Sequence, residues 1–266
     1  MNKIAICITT FLRDSLLSDT IKNTLSFISD NCIILIGDQN WSLEKYNYFS
    51  NLDSKIFYYQ LPFDAGLGYT RNFLVSKAKE LNCNYCLITA DNIQFIEKYD
   101  FSPFIDFLEK KSERGIVGFE LLNSKCPWEF LITLTPDGIK FDSSKKFITE
   151  NGITLKCVDI CRNIFLGKTN TLLNLWDNKM KLGEHELSFI EYKKRGYKVF
   201  WTDIIVFKKI IGKNTPQFNT GRSRFLKYIE ILRKKLNISN WVVYSQEVKK
   251  EIALYKSKNN IKIKNE

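Results

Sequence analysis

Glu184, His185 and Glu186 follow Gly183, which puts two carboxylates and an imidazole on one turn at the start of a helical stretch. A carboxylate or imidazole held in place and partly desolvated can take the proton of a hydroxyl, the work of a general base. The structural alternative is an acidic first turn complementing the helix dipole. Asp91 ends the apolar run 85–89, between Ala90 and Asn92. A carboxylate there holds a divalent cation or a ribose hydroxyl, or it caps a turn. Gly66-Leu67-Gly68-Tyr69-Thr70-Arg71-Asn72 is a glycine-containing loop that opens a helix. Its backbone N–H groups can receive an anion, and Arg71 can clamp a phosphate or carboxylate or sit in a structural ion pair. The spacing is neither a P-loop nor a full dinucleotide fingerprint.

The elements that must position these groups alternate in type. Residues 4–9, 32–36, 55–60 and 85–89 read as strands, and 14–29, 42–51 and 67–81 as helices, with Leu43, Tyr46 and Phe49 turned inward in the second helix. A βαβαβαβ order implies a mostly parallel sheet with helices on both faces. Ligands of such sheets bind beyond the carboxyl ends of the strands. Thr9, Thr10 and Arg13, then Asp38, then Asp91 and Asn92 all fall at those ends. From residue 101 the pattern turns mixed or antiparallel. Helices are expected over 104–111, 169–176 and 186–195, and strands over 115–121, 129–134, 197–201 and 204–208. A Pro136-Asp137-Gly138 turn suggests a hairpin. A polar linker over 213–221, an amphipathic helix over 222–236, a second helix over 241–255 and a frayed end over 256–266 complete the chain.

Charge divides the chain unevenly. Residues 213–266 hold 13 Lys/Arg against 4 Asp/Glu, so +9 of the total +11 lies there and the first 212 residues carry only +2. Such asymmetry points to an anionic surface, lipid or nucleic acid, or to a solvated basic tail. The seven cysteines are odd in number and mostly lie in apolar runs, as reduced core residues of a cytosolic protein do. Cys83-x-x-Cys86 lacks a second half for a zinc site, and His185 is the sole histidine. No signal peptide and no membrane span is visible, so the expected location is cytoplasmic, with peripheral contact to the inner face of the membrane through the basic segment.

Taken in order, these motifs resemble the GT-A glycosyltransferases, specifically inverting family-two-like enzymes, and within them the β-1,4-N-acetylgalactosaminyltransferase (GM2 synthase-like) branch. The matching stretches are Thr10-Phe11-Leu12-Arg13, Pro62-Phe63-Asp64-Ala65-Gly66 through Arg71-Asn72, Ala90-Asp91-Asn92, Asp159-Ile160-Cys161-Arg162-Asn163-Ile164-Phe165-Leu166, which resembles the segment lining the donor and acceptor site, Gly183-Glu184-His185-Glu186 and Arg195-Gly196-Tyr197-Lys198-Val199. The resemblance implies a GT-A (Rossmann-like) catalytic domain over 1–212, with a mixed, mostly parallel central sheet flanked by helices, and a basic helical extension over 213–266. It also implies a nucleotide-sugar donor, in all expectation a UDP-sugar, and a glycan or lipid-linked glycan acceptor; no nucleic acid is expected.

On that resemblance Glu186 or Glu184 is the base, with His185 taking the position in one register. Thr9, Thr10, Arg13, Asp38, Arg71, Asp91, Asn92 and Lys208 approach the nucleotide. Asp91 is the one candidate left to hold Mn²⁺ or Mg²⁺. The family's metal motif is acidic at the positions of Ala90 and Asn92, and a metal-binding histidine is replaced near Lys208-Lys209. A neutral amide or a cation is a poor partner for either ion. Lys208 or Lys209 is then the expected source of the positive charge that a metal gives elsewhere. The competing readings are an inactive relative of the same fold and a basic protein that binds a membrane or nucleic acid. A nucleotidyltransferase is disfavoured because the loop after the first strand has no glycine.

Overall fold

The structure, a computed structural model, describes residues 2–124, 126–212 and 215–258, except the side chains of residues 221 and 222. Parts of the expected linker (213 and 214) and of the frayed end (259–266) lie outside the described residues. The first half follows the alternation of its sequence. It runs β1 (Ile4–Thr10), α1 (Asp14–Phe27), β2 (Cys32–Asp38), α2 (Leu43–Leu52), β3 (Ile56–Gln60), α3 (Leu67–Glu80) and β4 (Tyr85–Ala90). The second half adds β5 (Ile93–Phe95), α4 (Ser102–Glu109), β6 (Arg114–Leu122), β7 (Leu131–Thr135), β8 (Gly138–Asp142), β9 (Phe147–Glu150), β10 (Ile153–Val158), β11 (Phe165–Lys168), α5 (Thr169–Leu172), α6 (Glu184–Lys194) and β12 (Lys198–Lys209). The basic segment holds α7 (Pro216–Ser223), α8 (Phe225–Leu236), β13 (Val242–Tyr244) and α9 (Gln246–Lys258).

The main sheet runs β3-β2-β1-β4-β11-β6-β12-β10-β9, with β5 paired to the end of β12. Strands β1 to β4 are parallel. Strand β11 runs antiparallel between β4 and β6, and β12 is parallel to β6. Every residue of β1 and β2 is buried, because helices cover both faces and leave no polar side to the strands. Ala5 and Cys7 of β1 pack in one core with Leu74, Val75 and Ala78 of α3. Ile4, Ile6 and Ile8 pack in the other with Leu17 and Ile21 of α1. The alternation is the period-two geometry of a strand. Among the described residues this is a mixed, mostly parallel α/β sheet flanked by helices, as expected.

Five expectations need correction. The polar linker expected over 213–221 gives way to a helix, α7, whose first residue is Pro216, a residue suited to a helix start. In α2 only Phe49 is buried, while Leu43 and Tyr46 are 66% and 39% exposed. The helix expected over 169–176 is one turn, α5. Asn174 adopts a left-handed φ of 50°, and Asn72 of α3 satisfies the backbone of Trp176 from both sides, accepting from its N–H and donating to its carbonyl. Strands expected over 197–201 and 204–208 are one strand, β12, whose register against β6 shifts between Thr202 and Val206. The helix expected over 241–255 begins instead with β13, which runs parallel to β8 beside the β7–β8 hairpin. Val242, Val243 and Tyr244 suit a strand, and the free side of β8 supplies the partner.

Candidate active site

The parallel strands end on one edge of the sheet: β1 at Thr10, β2 at Asp38, β4 at Ala90, β6 at Leu122 and β12 at Lys209. Strand β11 starts at that edge, since Phe165 sits opposite both Ile88 and Gly118. Residues 162–164, just before it, therefore lie next to the ends of β4 and β6.

Asp91 is fully buried. Its Oδ2 accepts from the Thr10 hydroxyl at 2.8 Å and from Arg13 Nε at 3.1 Å, and its Oδ1 accepts from Arg13 Nη2. The Thr20 hydroxyl donates to its carbonyl at 2.8 Å. Leu12, at a left-handed φ of 58°, turns the chain between β1 and α1 so that Arg13 comes back over the end of β4. Burial raises the Asp91 carboxyl to about 6 against the opposing pull of Arg13. Asn92 donates its amide to the Ile210 carbonyl at 3.3 Å. Thr9 is buried, and its carbonyl accepts the Asp91 N–H at 3.3 Å. Lys208 is exposed on β12, opposite Gln94 of β5 and Leu122 of β6.

Asp38 is fully buried as well. It accepts from the Tyr58 hydroxyl at 2.6 Å, from the Asn40 N–H at 2.7 Å and from Lys45 Nζ at 2.8 Å. Lys45 also binds Asp14 at 3.0 Å and the Asn40 carbonyl. This carboxylate is held by three neighbours of its own fold, and it shapes the floor of the edge more than it offers free acceptors.

The start of α6 faces the same edge. His185 Nδ1 lies 2.8 Å from Asn163 Oδ1, and its ring meets those of Trp128 and Phe189 edge-on at 5.1 Å each. Burial first, and the charge of Arg71 second, lower His185 to about 3, so the imidazole is neutral near pH 7. Glu184 is tied to Arg71 at 2.5 Å, both side chains 3% exposed. Glu186 is 1% exposed. Burial raises its carboxyl to about 8, its own backbone N–H opposes the shift, and the charge of Glu184 adds to it. Of the three groups on this turn, Glu186 alone combines a high proton affinity with the absence of an ion pair among the described residues.

At the glycine loop the contacts are those of a loop–helix junction with Arg71 in an ion pair, one of the two readings the sequence leaves open. The Gly66 N–H is taken by Gln39 Oε1 at 2.7 Å, and the Leu67 N–H by the Lys181 carbonyl at 3.3 Å. A Cβ on Gly68 would stand 2.2 Å from the Asp177 carbonyl oxygen. Gly68 thus lets the 177–181 loop press onto α3, and protein oxygens take the first two N–H groups of the turn.

Two contributors were not foreseen: Lys45 lies on a helix and Tyr58 on a strand whose sequences single out neither, whereas Gln39 closes the strand-end spot at Asp38 and Asn163 and Arg162 belong to a stretch that carries the resemblance. Arg162 binds Glu120 at 3.0 Å and the carbonyls of Leu121 and Cys126 at 2.6 and 2.9 Å, and so fixes the loop after β6. The basic segment also reaches this edge. The Phe218 ring lies 4.7 Å from the Arg13 guanidinium, and Arg224 pairs with Asp64 at 3.1 Å.

The residues at Asp91 do not fit a divalent ion. Both its oxygens already hold donors, one of them a cation. Its neighbours are an alanine and an amide spent on Ile210. Among the described residues no three His, Cys, Asp or Glu side chains gather around a common point. A cation beside a guanidinium would meet repulsion instead of the oxygen cage it needs.

This architecture, a Rossmann-like sheet with its polar residues at the carboxyl edge, is the GT-A-like fold of glycosyltransferases. S. aureus TarS superimposes with a TM-score of 0.57 over 99% of this chain and 44% of that one, at 10% identity. A 1–349 fragment of TarS gives 0.53 over 88% and 69%, also at 10%. GalNAc-T7 with UDP, GalNAc and Mn²⁺ gives 0.59 over 100% and 59%, at 12%. The chain thus spans less than half the length of the full TarS structure, and identities this low establish the fold alone. The sequence matches no family model and no curated protein.

Proposed function

We propose that this chain is an inverting glycosyltransferase that moves a sugar from a UDP-sugar to a hydroxyl of a glycan or lipid-linked glycan. One observation carries the reading: Asp38, Asp91 and the turn at residues 184–186 gather at the carboxyl edge of one sheet, joined through the pairing of β11 with β4 and the Asn163–His185 contact. GalNAc-T7, whose fold is similar, is seen with UDP and GalNAc, which supports a UDP-sugar as the donor. The order of motifs supports the β-1,4-N-acetylgalactosaminyltransferase-like branch and hence a hexosyl or N-acetylhexosaminyl donor.

Glu186 is the base in this mechanism. It takes the acceptor hydroxyl proton as the hydroxyl oxygen bonds to the anomeric carbon. The bond from that carbon to the diphosphate breaks on the opposite face, and its electron pair leaves with UDP. A buried carboxylate of high proton affinity suits a proton that must be held during attack. Arg71 and Glu184 brace the turn, His185 and Asn163 set its distance from β4, and Thr9, Thr10 and Asn92 line the floor. The exposed cations of the basic segment support an acceptor on an anionic membrane. UDP release measured over a panel of nucleotide sugars tests the reading. One UDP-sugar turned over faster than the rest, and silenced by Glu186→Gln, is the expected result; hydrolysis or transfer from none of them would refute it.

A further inference from the structure

We infer that Arg13 is the resident cation of this site, receiving the leaving diphosphate directly so that nucleotide binding needs no divalent ion. This rests on the nucleotide-sugar reading above. A guanidinium carries five N–H donors in one plane. Nε and one Nη2 hydrogen face Asp91, which fixes that plane at the carboxyl end of β4. The Arg13 guanidinium carbon lies over the Phe218 ring, 4.7 Å from its centroid, a cation–π contact that leaves the remaining N–H groups without an oxygen acceptor there. The three remaining donors have no partner among the described residues, and the side chain is 13% exposed, with Nη1 not among the buried atoms that lack a partner. Part of the Asp91 charge is taken up by the Thr10 hydroxyl and the Phe11 backbone, which leaves the outer edge of Arg13 electropositive. Bidentate donation to phosphate oxygens is the geometry a guanidinium favours.

The other cations near the edge are less suited. Lys45 has its three donors on Asp38, Asp14 and the Asn40 carbonyl. Arg71 is buried on Glu184. Lys208 stands exposed on β12 opposite Gln94, three residues along the chain from Asp91, but it is not among the donors to that carboxylate. Arg13 is the cation that touches the strand-end carboxylate itself.

Calorimetry of the full chain with UDP and with uridine, in excess EDTA and in millimolar Mn²⁺, tests this without relying on turnover. UDP is expected to bind equally in both buffers, within about threefold. Arg13→Gln is expected to weaken UDP by roughly 10- to 100-fold, the range for losing charge-assisted hydrogen bonds, and to leave uridine unchanged. Arg13→Lys should recover part of the loss. UDP binding that appears only with Mn²⁺ would overturn the inference and leave glycosyl transfer standing. An equal loss of UDP and uridine in Arg13→Gln would reduce Arg13 to a structural brace and overturn it too. Failure of UDP and uridine to bind in either buffer would remove both the inference and the function it rests on.

Discussion

Glu186 owes its proton affinity to burial, and the same burial makes it a cost to the fold. Its carboxyl moves from an ordinary 4.5 to about 8. Below 4.5 folded and unfolded chains both hold the proton. Between there and about 8 only the folded chain does, so stability falls as pH rises through that window. Glu186→Gln removes the titration. Thermal melts should therefore show the variant equal to wild type near pH 5 and more stable at pH 8. Transfer should drop by roughly 10²- to 10⁴-fold, the usual worth of a general base. In the wild type kcat should climb with pH through about 8, because the base must be free of its proton. A flat profile, or a variant that keeps its rate, would move the base elsewhere on the turn. Arg71 and Glu184 behave differently, since each is the other's compensation. Arg71→Met strands a buried carboxylate and should cost about 3–5 kcal/mol in denaturant melts. Adding Glu184→Met should return much of that loss, and simple additivity would show that the pair is not coupled in solution.

Helix α3 shows how one residue seats a whole element. Gly68 has no side chain where the Asp177 carbonyl presses in, so Gly68→Ala must push the 177–181 loop away from α3. We expect about 1–3 kcal/mol of destabilisation from overpacking and weaker catalysis, because that loop leads directly into Gly183 and Glu184. Unchanged stability would mean the loop is looser than its contacts imply. The sequence leaves this glycine open between an anion cradle and a packing junction, because the spacing of glycines carries no record of what lies across from them. The first four strands and three helices were legible because long apolar runs and helical spacing are local properties. Strands β9 to β11 were not: they are four to six residues long, and although β9 and β10 form a local hairpin, β10 and β11 join the sheet through partners far off in sequence. The acidic residues at the strand ends were legible by position, yet the engagement of Asp38 by Tyr58 and Lys45, or of Asp91 by Arg13, depends on contacts that only the folded sheet creates.

The molecule as a whole carries its charge at one end of the chain, and that end is built into the body. Leu232 of α8 and Val248 of α9 are fully buried in the core that also holds Phe141 and Leu187, and β13 completes a three-stranded sheet with the hairpin. The segment cannot be a loose tail along α8 and α9, so its lysines are displayed on a fixed surface. Lys227 and Lys234 of α8 and Lys249 and Lys250 of α9 are exposed, with Leu226 77% and Leu254 55% exposed among them. No helix among the described residues is long and apolar enough to cross a membrane, so attachment would be to the surface. Each lysine near an anionic bilayer contributes about 1 kcal/mol, within a screening length of about 10 Å at 0.1 M salt. The full chain should therefore float with vesicles containing anionic lipid at 50 mM salt, detach at about 0.5 M, and ignore neutral vesicles. Replacing Lys227 and Lys234 by glutamate reverses two charges on one helix without touching its buried face, and it should abolish flotation while UDP binding persists. Flotation that survives both high salt and the double replacement would assign the contact to the exposed leucines; its absence at low salt would leave the lysines as a solvated face and place the acceptor off the membrane.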